Sequence, residues 1–160
     1  MFQLDLPKYF YSDDIVKSCV HFKAKDYIIV ATTSGAVAVI DYRSKKLTNL
    51  SYEQYHSRNI LTLCKVSETA EECTFVSVAD DNYLIKACCN AQGKMGFRLK
   101  VNFGYRATFL DVFHNIGIVG FENGMVSLVE TDRFSILLTV ELKCNGQKFK
   151  RPVNYAGLVM

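Results

Sequence analysis

Three tight-turn signals, Ser34-Gly35, Asp80-Asp81-Asn82 and Glu122-Asn123-Gly124, each sit between two short apolar runs. Gly and Asn tolerate the positive φ that short hairpin loops require, so each signal reads as the loop of a β-hairpin. Gly35 and Asn82 are 47 positions apart, and Asn82 and Gly124 are 42 apart. The surrounding residues fall into three groups of four segments. SCVHFK, DYIIVATT, AVAVIDY and KLTNLSY form the first; NILTLCKV, CTFVSVA, YLIKACC and GFRLKVN the second; YRATFLDVF, GIVGF, MVSLVET and SILLTVEL the third. Within them apolar residues alternate or run together between turn residues, which is the pattern of strands, and helical periodicity is nearly absent.

A four-strand unit returning at about 40 to 45 residues has the period of a propeller blade. IIVATTSGAVAVIDYRSKKL also overlays GIVGFENGMVSLVETDRFSIL at nearly every hydrophobic position. This pattern of small residues, Gly turn, apolar strand, Asp and polar turn resembles WD40-type β-propeller repeats over about residues 15 to 142. Asp41-Tyr42-Arg43 stands where such repeats place their Trp-Asp pair and the residues beyond it, and Thr131-Asp132-Arg133 stands there in the third unit. The chain departs from the family in having no Trp and no Gly-His dipeptide, and in ending the same strand of the middle unit with Cys88-Cys89-Asn90. The expected fold is all-β: four-stranded antiparallel blades of a partial or partner-completed WD40-like propeller. The expected divisions are an N-terminal extension (1–14), three blades (15–52, 59–102 and 105–142), and a basic turn opening a further blade (143–160).

Propellers close with four to eight blades in most cases, and three units leave apolar blade faces and strand edges uncovered. Three arrangements resolve this: a longer chain, blades lent by a partner, or a divergent closed β structure. The stop of NYAGLVM within a strand-like run favours the first two.

Of the 160 residues, 49% are hydrophobic and 22% charged, which is ordinary for a folded domain. The formal net charge of +3 does not by itself argue for nucleic acid. No run approaches the roughly 20 apolar residues of a membrane span, so the chain reads as soluble. The opening MFQLDLPKYF carries no signal-peptide pattern, and four of the six cysteines lie inside apolar runs such as ILTLCKV and LIKACC. They read as reduced thiols in a cytoplasmic or nuclear protein.

Enzymatic chemistry finds little to work with. Cys19 and His21 share a strand face and are read as packed, and His56, in the linker SYEQYHSRN, is read as exposed. His114 with Asp111 falls at a strand-to-turn junction, where the propeller resemblance implies a structural His–Asp contact. Adjacent Cys88 and Cys89 point to opposite faces and cannot chelate one ion together, so no metal or cofactor is expected. Gly93-Lys94-Met95-Gly96 lacks both the spacing and the following helix of a phosphate loop. Asp13-Asp14 and Asp80-Asp81 lie within single polar turns and do not flank a substrate. No enzyme is expected.

Binding remains. Propeller repeats expose loops, and Tyr and Arg are favoured at interface hot spots. Candidate protein-binding residues are Tyr42, Arg43, Lys45, Lys46, Tyr52, Tyr55 and Arg58. The expected function is a non-catalytic scaffold whose partners are other protein subunits. The rival reading is a nucleic-acid surface built from Lys94, Arg98, Lys100 and Arg106, with Phe97, Phe103 and Tyr105 interleaved, and from the tail residues Lys148, Lys150 and Arg151. Alternation argues against it, because Phe97, Leu99 and Val101 would face a core while Arg98 and Lys100 face water. A phosphoinositide surface would need a Phe-Arg-Arg-Gly type motif, which is absent.

Overall fold

A computed structural model describes residues 14–44, 46–144, 146–148 and 152–153, with the side chains of 46–51 and 144 left aside. Three four-stranded antiparallel sheets follow one another along the chain. The first contains β1 (Val16–Phe22), β2 (Tyr27–Thr32), β3 (Ala36–Asp41) and β4 (Lys46–Gln54). The second contains β5 (Ile60–Glu68), β6 (Glu72–Ala79), β7 (Tyr83–Asn90) and β8 (Met95–Asn102). The third contains β9 (Ala107–Phe113), β10 (Ile116–Phe121), β11 (Met125–Glu130) and β12 (Ser135–Glu141). A small hairpin of β13 (Lys143–Cys144) and β14 (Gln147–Lys148) follows. In every sheet the strands stand in chain order. The architecture is that of three propeller blades. Among the described residues, no helix is long and apolar enough to cross a membrane.

The blades stack through their first strands, β1 against β5 and β5 against β9. Strand alternation decides what fills each gap. Val20, Phe22, Ile29, Val37 and Val39 of the first blade meet Ile60, Leu63, Cys73, Phe75 and Cys89 of the second. The intervening residues of the second blade, Val76, Val78 and Leu84, meet Leu110, Val119, Phe121 and Val129 of the third. Each of Phe22, Phe75 and Phe121 is essentially fully buried, and such burial contributes about 1.5–3 kcal/mol per side chain. Cys88 and Cys89 do point to opposite faces, pairing with Thr74 and Cys73 respectively, and burial pushes the thiols of Cys73 and Cys89 up to about 11 and about 12.

The same polar ties recur in all three blades. The amides of Thr33, Asp80 and Glu122 donate to the carbonyls of Ile15, Asn59 and Arg106, securing each central hairpin to the entry of its own first strand. The amides of His56, Phe103 and Leu142, just past each outer strand, donate to Gly35, Asn82 and Gly124. At the other end, a side chain closing each third strand caps the next turn: Asp41 accepts from Arg43 and Ser44, Asn90 from Gln92 and Lys94, and Glu130 from Asp132 and Arg133. The counterpart of Asp41 in the third blade is therefore Glu130, not Asp132. The longer Glu side chain does from that position what Asp does, so the match of Asp41-Tyr42-Arg43 to Thr131-Asp132-Arg133 stands one residue too far along.

Candidate interaction surface

His56 is where structure and sequence differ most. It is buried, not exposed, at 1% accessibility. Its Nδ1 lies 3.0 Å from Asp81 Oδ1 and its Nε2 lies 2.8 Å from Ser77 Oγ. A neutral ring satisfies all three groups when Nδ1–H donates to the carboxylate and the Ser77 hydroxyl donates to Nε2. Burial pushes the His56 pKa down, and the charge and hydrogen bond of Asp81 oppose this. Asp81 also accepts from the amides of Ser57 and Tyr83. The linker between the first two blades is thus fastened to the central turn of the second.

His114, expected to make such a tie, is exposed in the turn between β9 and β10 at φ 53°, with its ring against Phe113. The His–Asp contact exists in this chain, but with His56 and Asp81. Cys19 and His21 share a face as expected, yet both are exposed, and the His21 ring lies against the Tyr42 ring. Alternation says which residues share a face; it does not say which face a neighbouring sheet covers.

Beside His56, a cleft of about 410 Å³ is lined by Ser57, Arg58, Asp80, Asp81, Asn82, Arg106 and Glu122. The central turns of the second and third blades and the linkers entering them meet there. Arg106 Nε donates to Asp80 Oδ1 at 2.7 Å. Arg58 is exposed and makes no side-chain hydrogen bond or ion pair among the described residues. Among the described residues the cleft therefore offers the Arg58 guanidinium, unpaired, beside the carboxylates of Asp81 and Glu122, a setting that suits charged groups. It brings together Arg58 from one candidate set and Arg106 from the other, which no sequence spacing indicated.

The remaining protein-binding candidates are dispersed. Tyr42 and Arg43 lie at the opposite end of the first blade, both bonded to Asp26. Lys45 lies outside the described residues, and Lys46 opens β4 with its side chain likewise undescribed. Tyr52 donates to Gln54 from the outer strand. Tyr55 is half-buried against the first core, its hydroxyl has no hydrogen-bond partner among the described residues, and burial raises its pKa.

The basic candidates do not converge either. Lys94 and Arg106 flank opposite ends of β8. Arg98 pairs with Glu72, Lys100 lies over the Tyr83 ring at 5.1 Å, and Lys148 pairs with Glu141. Lys150 and Arg151 lie outside the described residues. Phe97 and Leu99 are not core residues: β8 is the outer strand, and they are 53% and 39% exposed.

The sequence matches no family profile and no curated protein. Solved structures share the fold. The β-propeller domain of Cps50 (Swd1) from Myceliophteria thermophila has a TM-score of 0.65 at 15% identity, over 79% of this chain and 41% of that one. BBS1N, solved in complex with ARL6DN, has a TM-score of 0.64 at 12% identity, over 84% and 42%. The computationally designed Ika8 protein has a TM-score of 0.61 at 15% identity, over 78% and 36%. This chain spans about two fifths of each.

Proposed function

We propose that this chain is a non-catalytic scaffold for protein–protein interaction, a WD40-like propeller segment working in a multiprotein assembly. The observation that carries the reading is the face of the third blade turned away from the second. Ile118, Val126, Leu128, Leu138 and Val140 share it by register, and Leu138 and Val140 are 50% and 41% exposed. Val153 already sits against this face: its amide donates to Phe121, its carbonyl accepts from Thr108, and a Cβ on Gly120 would lie 2.8 Å from its side chain. Further blades, from a partner or from more chain, would continue the stack from there.

The mechanism is display. Rigid blades hold the Arg58 cleft in place, and the open face recruits protein. A propeller solved with a protein partner, as BBS1N is with ARL6DN, illustrates the mode. The test is quantitative affinity purification with the wild-type chain, Arg58→Glu and Val126→Asp, all checked for folding. A stoichiometric protein lost with either variant supports the reading. Nuclease-sensitive recovery of RNA or DNA, or no stoichiometric protein at all, refutes it.

A further inference from the structure

The outer strands of the second and third blades can be matched residue by residue. In each, one residue bulges where the register against the third strand shifts. Arg98 does so between Phe97 and Leu99, which pair with Ala87 and Lys86. Leu137 does so between Ile136 and Leu138, which pair with Val129 and Leu128. Phe97-Arg98-Leu99-Lys100-Val101 therefore corresponds to Ile136-Leu137-Leu138-Thr139-Val140. The three apolar positions agree. The two cationic positions have become Leu and Thr.

Bulges and charged residues on an outer strand are both devices against edge-to-edge pairing. β8 and β12 share the bulge, so the charges, which a second strand would have to bury, are what distinguishes them. Arg98 and Lys100 guard β8 in this way. On β12 every residue from Ser135 to Val140 is exposed, none of them is charged, and Leu137 is 54% accessible. Among the described residues no strand pairs with its outer edge.

The charges at its two ends indicate what covers it. The entry carries Glu130, which caps its own turn, and Asp132 with Arg133; the exit carries Lys143 beside the Lys148–Glu141 ion pair. Lys86 approaches Asp132 from behind at 3.5 Å, but that carboxylate stays 65% accessible. A second β12 laid antiparallel sets the basic exit of each copy beside the acidic entry of the other, twice over. A parallel one sets like on like. Antiparallel pairing of identical edges is a two-fold contact that closes at two copies.

We infer that β12 is a self-pairing edge, through which two copies of this chain join antiparallel so that their third blades form one continuous eight-stranded sheet. The blade face that supports the scaffold reading includes the Leu138 and Val140 side chains of β12, whereas the pairing uses the strand's backbone edge. Val126 lies on the face alone, on β11, so the variants separate the two.

The test is the solution mass of the full chain by light scattering at about 5 and 100 µM, a range over which a modest dimer responds to mass action. Wild type is expected to approach twice the 18.1 kDa chain mass. Leu137→Arg restores the guard found at Arg98, and is expected to weaken the dimer about 100-fold or more by forcing an unpaired charge into the contact. Leu137→Glu should do the same, so the loss does not depend on the sign of the charge. Val126→Asp, on the blade face, should leave the dimer intact. Amide exchange across β12 should slow in wild type at the higher concentration and stay fast in Leu137→Arg. A monomeric wild type overturns the inference, as does a dimer that survives both Leu137 variants, one broken by Val126→Asp, or an open-ended aggregate.

Discussion

Replacing His56 by Ala removes the device that fastens the first linker to the second blade. The ring is buried, hydrogen-bonded at both nitrogens, and one partner is an ionised carboxylate. A hydrogen bond to a charged group contributes about 1.5–3 kcal/mol and a neutral one about 1 kcal/mol. Asp81 keeps two backbone donors, from Ser57 and Tyr83, so its charge is not stranded. The expected loss is therefore about 3–4 kcal/mol, including the space vacated by the ring. For a chain of this size that lowers the melting temperature by about 8–14 °C. Ser77→Ala should cost about 1 kcal/mol and Asp81→Asn about 1–2 kcal/mol. Because Ser77 acts through His56, the double variant His56→Ala/Ser77→Ala should lose less than the sum, with a coupling of about 0.5–1 kcal/mol. Thermal melts followed by circular dichroism measure all four variants. A drop of under 2 °C for His56→Ala, or strict additivity, would refute the reasoning.

Other expectations follow from the same contacts. His56 has a pKa below its ordinary 6.5. The unfolded chain therefore takes up a proton first as the pH falls through that value, and stability should decline below about pH 6.5. Urea titrations of wild type and His56→Gln between pH 5 and 8 should differ by that slope, and parallel slopes would exclude His56 as its source. Gly35→Ala drives a Cβ into the backbone carbonyls of His56 and Arg58 at φ +90°, whereas Gly104→Ala meets nothing within 4 Å at φ +73°. The first should cost about 3 kcal/mol or more and the second about 1 kcal/mol, and equal losses in denaturant melts would contradict the crowding. Gly120→Ala should dislodge Val153 or cost about 1–3 kcal/mol by overpacking; unchanged stability with the Val153 amide still protected from exchange would rule that out.

The blades were legible because both of their signals are local. Turn residues with positive φ and alternation within eight residues need no knowledge of the neighbouring sheet. What escaped is what neighbours decide. His56 sits among Tyr, Ser, Arg and Asn and reads as solvated, yet the turn at Gly35 and the carboxylate of Asp81, 25 residues on, enclose it. Its distance from a turn Asp was the one available clue. Phe97 and Ile136 alternate like core residues but lie on outer strands, beyond the reach of the adjoining sheet. Lys94 and Arg106 look clustered in sequence, but an extended strand of eight residues holds them about 25 Å or more apart. The Arg58 cleft forms where two linkers and two turns converge, so no single stretch of sequence contains it.

Each sheet is a meander, and that order governs how the chain can be made. Every ladder within a blade joins strands adjacent in sequence. Only a short loop has to close before each pairing returns free energy, which keeps the entropic barrier low. A blade can therefore be completed while later residues are still being synthesised, since none of its strands awaits a segment made much later. The links between blades, such as Leu63 on Ser18 and Lys86 on Thr131, span about 45 residues, so each must wait until the later blade has been made. Synthesis and assembly can therefore proceed in the same direction, one hairpin at a time, and among the three described blades the outer strand of the third is the last to be made.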